Sequence, residues 1–567
     1  VSRKHYFWIS AATVTVLSLI LIFTRGIVLE TVDDFNVMYS IAGYKTEVPF
    51  WQLTFFNSVF AGFISIFYRI TGAIQWYSVI QFGSVFVGEV LILYTILCIS
   101  KSTKKQLFLY IGLFSLLHVS VYMYVLQRLQ FTTTAGVLGA AAICMLYMYL
   151  REKKALYLTL SGILIFGSVL MRYKAGLMCF MIFFGLFIAY TFLERNDIDR
   201  KVMIRSVISV LLIAATVVAI RGADLYVKRN MLNENYMDYD HYRGMYQDYK
   251  KPDFNENQEL YNSVGWDDNV YNLAANLIYI DPAINEHAFK TIVESDAYDP
   301  HLTPKEMMHS YSDFLFDEPE GKVATGVFLF MTILAFTTSL SSGSRKNLLL
   351  SIYAFLAWAA LTGYLLFQGR MVLRVMLLVL IPSLTLSFLI ILSNATSVRN
   401  KVNFWQLTVI PVMLVFSLSA ADNVYIRLKE KDRYSQEIMF AFEEYAMEHP
   451  DNIYIHDYTM NNFYNSYSAF HTYDDPVPSN VIMSGGSYTY SACYYKQLEV
   501  NNLTMIRGTT LFHDNVYYVC DLNRRSYPWL VYNYLESRYG NIDCRLVEEL
   551  DDGNVGVFKF SIGSEHK

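Results

Sequence analysis

"LTFFNSVFAGFISIFYRI" (residues 53–70) is apolar enough to cross a membrane, and its reading sets the side on which every later loop falls. A spanning helix needs about 20 mostly apolar residues. Eleven other runs approach or meet that need, at 7–24, 77–99, 106–127, 132–150, 155–171, 175–193, 203–220, 323–341, 347–367, 371–393 and 403–421. With 53–70 left out, the basic loops "KSTKK" (101–105), "REKK" (151–154), "ERNDIDRK" (194–201), "SRK" (344–346) and "RNK" (399–401) all share a side with the N-terminus. Lys and Arg in short loops mark the cytoplasmic side, so the N-terminus is expected inside. Counting 53–70 as a span would put those loops outside. The stretch is therefore read as a helix lying in the outer interface, followed by "GAIQW" (72–76).

Composition agrees with a membrane protein. Of 567 residues 54% are hydrophobic and 17% charged, against about a quarter charged in soluble domains. Aromatics reach 16%, and Tyr and Trp favour membrane interfaces. No basic surface suggests nucleic acid. The first run follows "SRKH" (2–5) without a small-residue cleavage site, so it reads as a retained anchor. Cys98, Cys144 and Cys179 lie in apolar runs as small hydrophobes. Cys493, Cys520 and Cys544 are an odd number in the polar tail, which argues against a disulfide framework.

The expected fold class is thus a polytopic α-helical membrane protein of about eleven spans with a C-terminal extracytoplasmic α/β domain. Residues 1–421 form the transmembrane module, including outer loops 25–76 and 221–322, and residues 422–567 form the α/β domain. In the latter, "RYSQEIMFAFEEYAMEH" and "WLVYNYLESRYG" read as helices, and "NIYIH", "VYYVC" and "VGVFKF" as strands. "DDNVYNLAANLIYI" (267–280) reads as an amphipathic helix. No phosphate-binding glycine motif occurs, so nucleotide binding has no support.

Chemistry concentrates on the expected outer side. "TVDDFNV" (31–37) sets Asp33 beside Asp34 just after the first span. They are either a helix cap or a catalytic carboxylate with its support. Arg128 follows the third span in "YVLQRLQFTTT", Arg172 and Lys174 sit in "LMRYKAG", and Arg370 and Arg374 open the tenth span in "FQGRMVLRV". The last two are expected on one helix face at i,i+4. Snorkelling explains any one of them. Three hairpins carrying arginines on the side where basic residues are scarce point to an anion pocket, since the guanidinium fork matches phosphate oxygens. Glu89 and His118, in successive spans, read as a structural hydrogen bond. Asp224, Lys228 and Arg229 read as a solvated helix end. His287, His301 and His309 lack metal-ligand spacing.

An acidic pair after the first span, an interfacial helix, many further spans and an extracytoplasmic C-terminal domain resemble the GT-C superfamily of integral-membrane glycosyltransferases. The resemblance implies a multi-pass protein of a bacterial plasma membrane that moves a sugar from a polyprenyl-phosphate carrier to a glycan, lipid or protein acceptor, with inversion. It makes Asp33 the first choice for the catalytic carboxylate and Asp34 the second, with Arg128, Arg172, Lys174, Arg370 and Arg374 on the donor phosphate. The family's later metal-binding and sequon-reading motifs have no counterpart here. No cofactor is required by this reading; a divalent metal is compatible with it but not expected between Asp33 and Asp34, whose side chains point apart in strand or helix. The rival readings are a polysaccharide polymerase or O-antigen-ligase-like enzyme working from 221–322, a lipid-linked sugar flippase, and a scaffold binding wall polymer.

Overall fold

The computed structural model describes residues 2–100, 104–195, 199–231, 234–397, 404–473, 477–524 and 526–563. The chain divides into two compact units, one of Val1–Ile27, Ser78–Ala223 and Thr303–Glu430, the other of Val28–Tyr77, Asp224–Leu302 and Lys431–Lys567.

Among the described residues, ten helices are long and apolar enough to cross a membrane. Ten of the eleven expected runs account for them. The eleventh forms the 17-residue helix Ala155–Met171, about 25 Å long at 1.5 Å per residue and so a little short of the ~30 Å hydrocarbon layer. The stretch at 53–70 forms the 13-residue helix Ser58–Ile70, capped by the Asn57 side chain. It reaches only about 20 Å and is too short to cross. The protein is a multi-pass membrane protein.

In the helical unit, Phe131–Glu152 and Leu373–Ala395 are buried along their apolar lengths, as central helices of a bundle must be when they are apolar all round. Close packing uses small residues. A Cβ on Gly139 would lie 2.4 Å from Cys179 Sγ. The basic loops of this unit meet at one end. Arg3 bonds Glu152 and donates to the Tyr157 hydroxyl at 2.7 Å. Lys154 pairs with Glu152 at 3.3 Å, Lys153 with Glu194 at 3.9 Å, and Lys346 with Glu194. The N-terminal helix and the loops at 151–154, 194 and 344–346 therefore share an end, as the charge pattern expects. Residues 101–103, 196–198 and 398–403 of the other basic loops lie outside the described residues.

The second unit is α/β. Its five-stranded sheet runs in the order Val481–Met483, Ile453–His456, Val516–Asp521, Val555–Ile562, Ile542–Leu550. The first three strands are parallel and the last two form an antiparallel hairpin against them. Ile453–His456 is buried at every position, as an interior parallel strand should be. The expected helices appear at Leu428–Glu448 and Ser526–Tyr539. The expected domain border at 421/422 differs from the observed one, because the loops at 28–77 and 224–302 fold with 431–567. Their aromatics supply the reason: Trp266, Tyr246, Tyr261 and Phe289 share one core with Ile455, Tyr494 and Tyr518. The helix expected over 267–280 stops at Ala275. Beyond it the chain turns, with Leu277 at φ 58°, and is then stitched elsewhere, Tyr279 N to Ser484 O at 3.0 Å and Gly508 N to Ile280 O at 2.9 Å. Gly485 permits that approach, since a Cβ there would sit 2.0 Å from Leu277 O.

Candidate active site

Asp33 and Asp34 occupy the first turn of the helix Val32–Ala42, whose N-cap is Thr31. Their environments are unlike. Asp34 is fully buried. Thr31 Oγ1 donates to its Oδ2 at 2.8 Å and the Tyr77 hydroxyl to its Oδ1 at 2.8 Å. The backbone N–H of Val32 donates to Asn465 Oδ1 at 2.7 Å, which pins the helix start from a second direction. Asp33 is half-buried, and its carboxylate has no hydrogen-bond partner among the described residues. One acid is locked and the other is available. Tyr77 and Thr31 were not singled out in the sequence, although a hydroxyl residue just before paired acids is a capping signal.

Nearly two turns along the same helix, Tyr39 meets a second carboxylate. Glu443 is buried on the helix Leu428–Glu448 and accepts from Tyr39 at 2.7 Å, from Tyr467 at 3.1 Å and from Tyr473. Burial lifts its pKa to about 7, against the pull of those three hydroxyls. A cavity of about 10 Å³, room for roughly one water, adjoins it, lined by Asn36, Tyr39, Lys45, His456 and Tyr464 among others. Lys45 bonds Asn36 Oδ1 and lies 3.6 Å over the Tyr488 ring; burial lowers its pKa to about 8. Burial likewise lowers His456 to about 4. Sequence reading missed this cluster. Its signal was an acid within the apolar stripe Met439, Phe442, Ala446.

The expected solvated end at Asp224 is instead an interior joint. Asp224 and Lys228 are buried and paired at 3.0 Å. Asp224 Oδ1 accepts from Ser58 N at 2.9 Å, and Lys228 Nζ donates to Thr54 O at 2.7 Å. The carboxylate holds the first N–H of the helix Ser58–Ile70, where a negative charge is favoured. Arg229 is exposed.

In the helical unit, Arg128 is buried at the end of the helix Met123–Gln127. Arg172 donates to Thr132 Oγ1 at 2.7 Å and lies 5.1 Å over the Phe131 ring. Both arginines thus belong to the surroundings of the 128–132 segment. Lys174 is exposed on the helix that Arg172 precedes. Arg370 and Arg374 do not share a helix face. The chain turns at Gly369, with φ 65°, and the next helix begins at Leu373, so Arg370 lies outside it. Arg374 keeps a buried Nε without a hydrogen-bond partner among the described residues. Glu89 and His118 form the expected bond, Oε2 to Nδ1 at 2.7 Å, at the π-helical turn His118–Tyr122. Of the other histidines, His301 sits by Asp299 and His309 by Asp313 on exposed loops and helices. All six cysteines are free.

Fold and site together define a multi-pass helical membrane protein with an α/β unit that presents one locked and one available carboxylate. The sequence matches no family model and no curated protein. In fold it is similar to ArnT from Cupriavidus metallidurans bound to undecaprenyl phosphate, with 10% identity, 98% of each chain covered and a TM-score of 0.39. The apo state of that protein gives 10% identity, the same coverage and a TM-score of 0.38.

Proposed function

We propose that the protein is a membrane glycosyltransferase of the GT-C type, taking a sugar from a polyprenyl-phosphate carrier to an envelope acceptor on the outer face, with Asp33 as base. The observation that carries this reading is the division of labour between adjacent acids. Asp34 is buried with a donor on each oxygen, whereas Asp33 is half-buried and its carboxylate has no hydrogen-bond partner among the described residues, on a helix start pinned by Thr31, Tyr77 and Asn465. A general base needs a free lone pair on a rigid support.

The acceptor O–H gives its proton to Asp33 as its oxygen attacks the anomeric carbon. The bond from that carbon to the phosphate oxygen breaks from the opposite face, so configuration inverts and polyprenyl phosphate leaves with its electron pair. Guanidinium groups stabilise that growing charge. Arg128 and Arg172 are the first candidates, because both attend the 128–132 segment; Lys174, Arg370 and Arg374 stand behind them. The N-terminus and the basic loops beside Arg3 are assigned to the cytoplasm by the positive-inside rule, which puts Arg128, Arg172 and Arg370 on the outer side. No divalent ion is needed for these steps.

The test is Asp33→Asn in purified full-length protein with a polyprenyl-phosphate sugar. Transfer should stop while donor binding persists, because Asn keeps the shape and cannot take the proton. Transfer at the wild-type rate would remove Asp33 from the mechanism. If the double variant Asp33→Asn/Asp34→Asn also transferred at that rate, the polymerase-or-ligase reading would take its place.

A further inference from the structure

One cavity in the helical unit is lined by none of the candidate site residues. It is a groove of about 710 Å³ between the helices Ala155–Met171 and Arg200–Met231, lined by Leu158, Ile163, Phe166, Ile208, Leu212 and Val217 among others. The second helix touches the rest of the unit at separate points. Ser206 bonds the Tyr149 hydroxyl, Ile213 reaches Gly162, and the Arg221 guanidinium lies 4.9 Å over the Tyr173 ring. Between these contacts the space is open and apolar.

Charge is confined to one mouth. Among the described residues, Lys153 and Arg205 are the charged side chains that line the groove, and Lys153 belongs to the end where Arg3, Glu152 and Glu194 meet. Arg205 is exposed and makes no hydrogen bond or ion pair among the described residues. From Arg205 to Val217 the lining follows the helix for about 18 Å at 1.5 Å per residue. Half of a ~30 Å hydrocarbon layer is about 15 Å. The groove therefore matches one leaflet in depth, with its cationic mouth at headgroup level.

We propose that this groove holds an anionic phospholipid of the leaflet on the Arg3 side, its phosphate at Arg205 and Lys153 and one acyl chain along Leu158, Phe166 and Leu212. A polyprenyl chain is a poorer occupant, because the groove ends mid-bilayer and its charged mouth is at the opposite end of the spans from Arg172 and Arg370. The assignment is independent of the glycosyl-transfer reading.

Native mass spectrometry of the full chain in mild detergent, with phosphatidylglycerol and phosphatidylcholine of equal chain length as probes, tests it. The wild type should retain phosphatidylglycerol over phosphatidylcholine. Arg205→Gln should cut that preference about five-fold, the factor equivalent to roughly 1 kcal/mol for one basic residue at an anionic surface. Ser209→Phe, which fills the groove from the Arg200–Met231 helix, should lower retention of both lipids. Equal retention of the two lipids by the wild type, or a preference untouched by Arg205→Gln, would overturn the proposal. So would displacement of bound phosphatidylglycerol by undecaprenyl phosphate at equal concentration, which would give the groove to the carrier.

Discussion

Asp33 and Glu443 are carboxylates served by one helix, Val32–Ala42, and they are held in opposite ways. Glu443 meets three tyrosine hydroxyls, one of them Tyr39 of that helix, in a buried site. Asp33 stands at the helix start with no hydrogen-bond partner among the described residues. A carboxylate enclosed by three donors fixes structure and has little acceptor capacity left for a substrate. One without such partners keeps its acceptor positions open. The proposed role of Asp33 as base rests on that contrast and on no relative.

The largest effect expected from this contrast is on rate. Asp33→Asn should lower glycosyl transfer by about 10²–10⁴-fold, the range of a lost general base, with the melting temperature almost unchanged. A melting temperature that fell with activity would make Asp33 a structural residue like Glu443.

The second effect is on stability and depends on pH. The folded-state pKa of Glu443 is raised to about 7 by burial, whereas an unfolded glutamate titrates near 4.3. Between those values the folded protein holds a proton that the unfolded chain has released, so stability contributed by Glu443 is complete at low pH and lost as pH rises towards 7. The groups facing it do not all act alike. Tyr39, Tyr467 and Tyr473 stay neutral, and His471, edge-on to Tyr467 and Tyr473, is pushed down by burial. Lys45 titrates higher, at about 8. His456, lowered to about 4, opposes Glu443 over nearly the same window. The difference between wild type and Glu443→Gln isolates the carboxylate. Glu443→Gln should gain stability relative to wild type from about pH 4.5 to pH 7, by an amount on the order of 3 kcal/mol, and the gap should then stay level. Thermal unfolding of the two proteins across that range checks it. A constant difference would mean that Glu443 stays ionised throughout.

Much of this frame was legible in the sequence. Runs of apolar residues and the Lys/Arg loops gave the helices of the membrane unit, because the bilayer imposes length and charge rules that act residue by residue. The strands at 453–456, 516–521 and 555–562 announced themselves through β-branched and aromatic residues. What stayed hidden depends on contacts distant in sequence. Nothing in "DDNVYNLAANLIYI" says that its last residues will be held by Ser484 and Gly508. Asp224 looks like a solvated residue at a helix end until Ser58, far away in the chain, brings an N–H to it. The pair Arg370 and Arg374 has helical spacing, and only the turn at Gly369 keeps Arg370 off the helix. At the site, Asp33 and Asp34 could be chosen from sequence, but Tyr77 and Glu443 could not be linked to them.

A smaller effect is expected at the arginines. Arg172→Gln should weaken binding of a polyprenyl-phosphate sugar by about ten-fold, roughly the 1.4 kcal/mol of one charge-assisted hydrogen bond, and should lower kcat as well, because the same charge stabilises the leaving phosphate. Isothermal titration with the lipid donor reads it. Unchanged affinity would return Arg172 to a structural bond with Thr132 and Phe131.

The smallest effect sharpens the comparison most, because it is made one residue from the largest. Asp34→Asn keeps the size of the side chain and one carbonyl oxygen. That oxygen can still accept from Tyr77 or from Thr31, but not from both, since the other position now carries an NH2 group that only donates. The loss is one buried hydrogen bond together with a charge near the helix N-terminus, which together stabilise by about 1–3 kcal/mol. The protein should therefore fold, melt a few degrees lower and retain transfer within about ten-fold of wild type. Supplying only support, Asp34 affects the rate through the positioning of Asp33, and a misplaced base loses less than an absent one. If Asp34→Asn abolishes transfer while Asp33→Asn spares it, the buried acid is the base and the accessible one is not. In that case access to Asp34 requires the Thr31 and Tyr77 hydroxyls to release it when substrate binds, and Tyr77→Phe should then raise the rate rather than lower it.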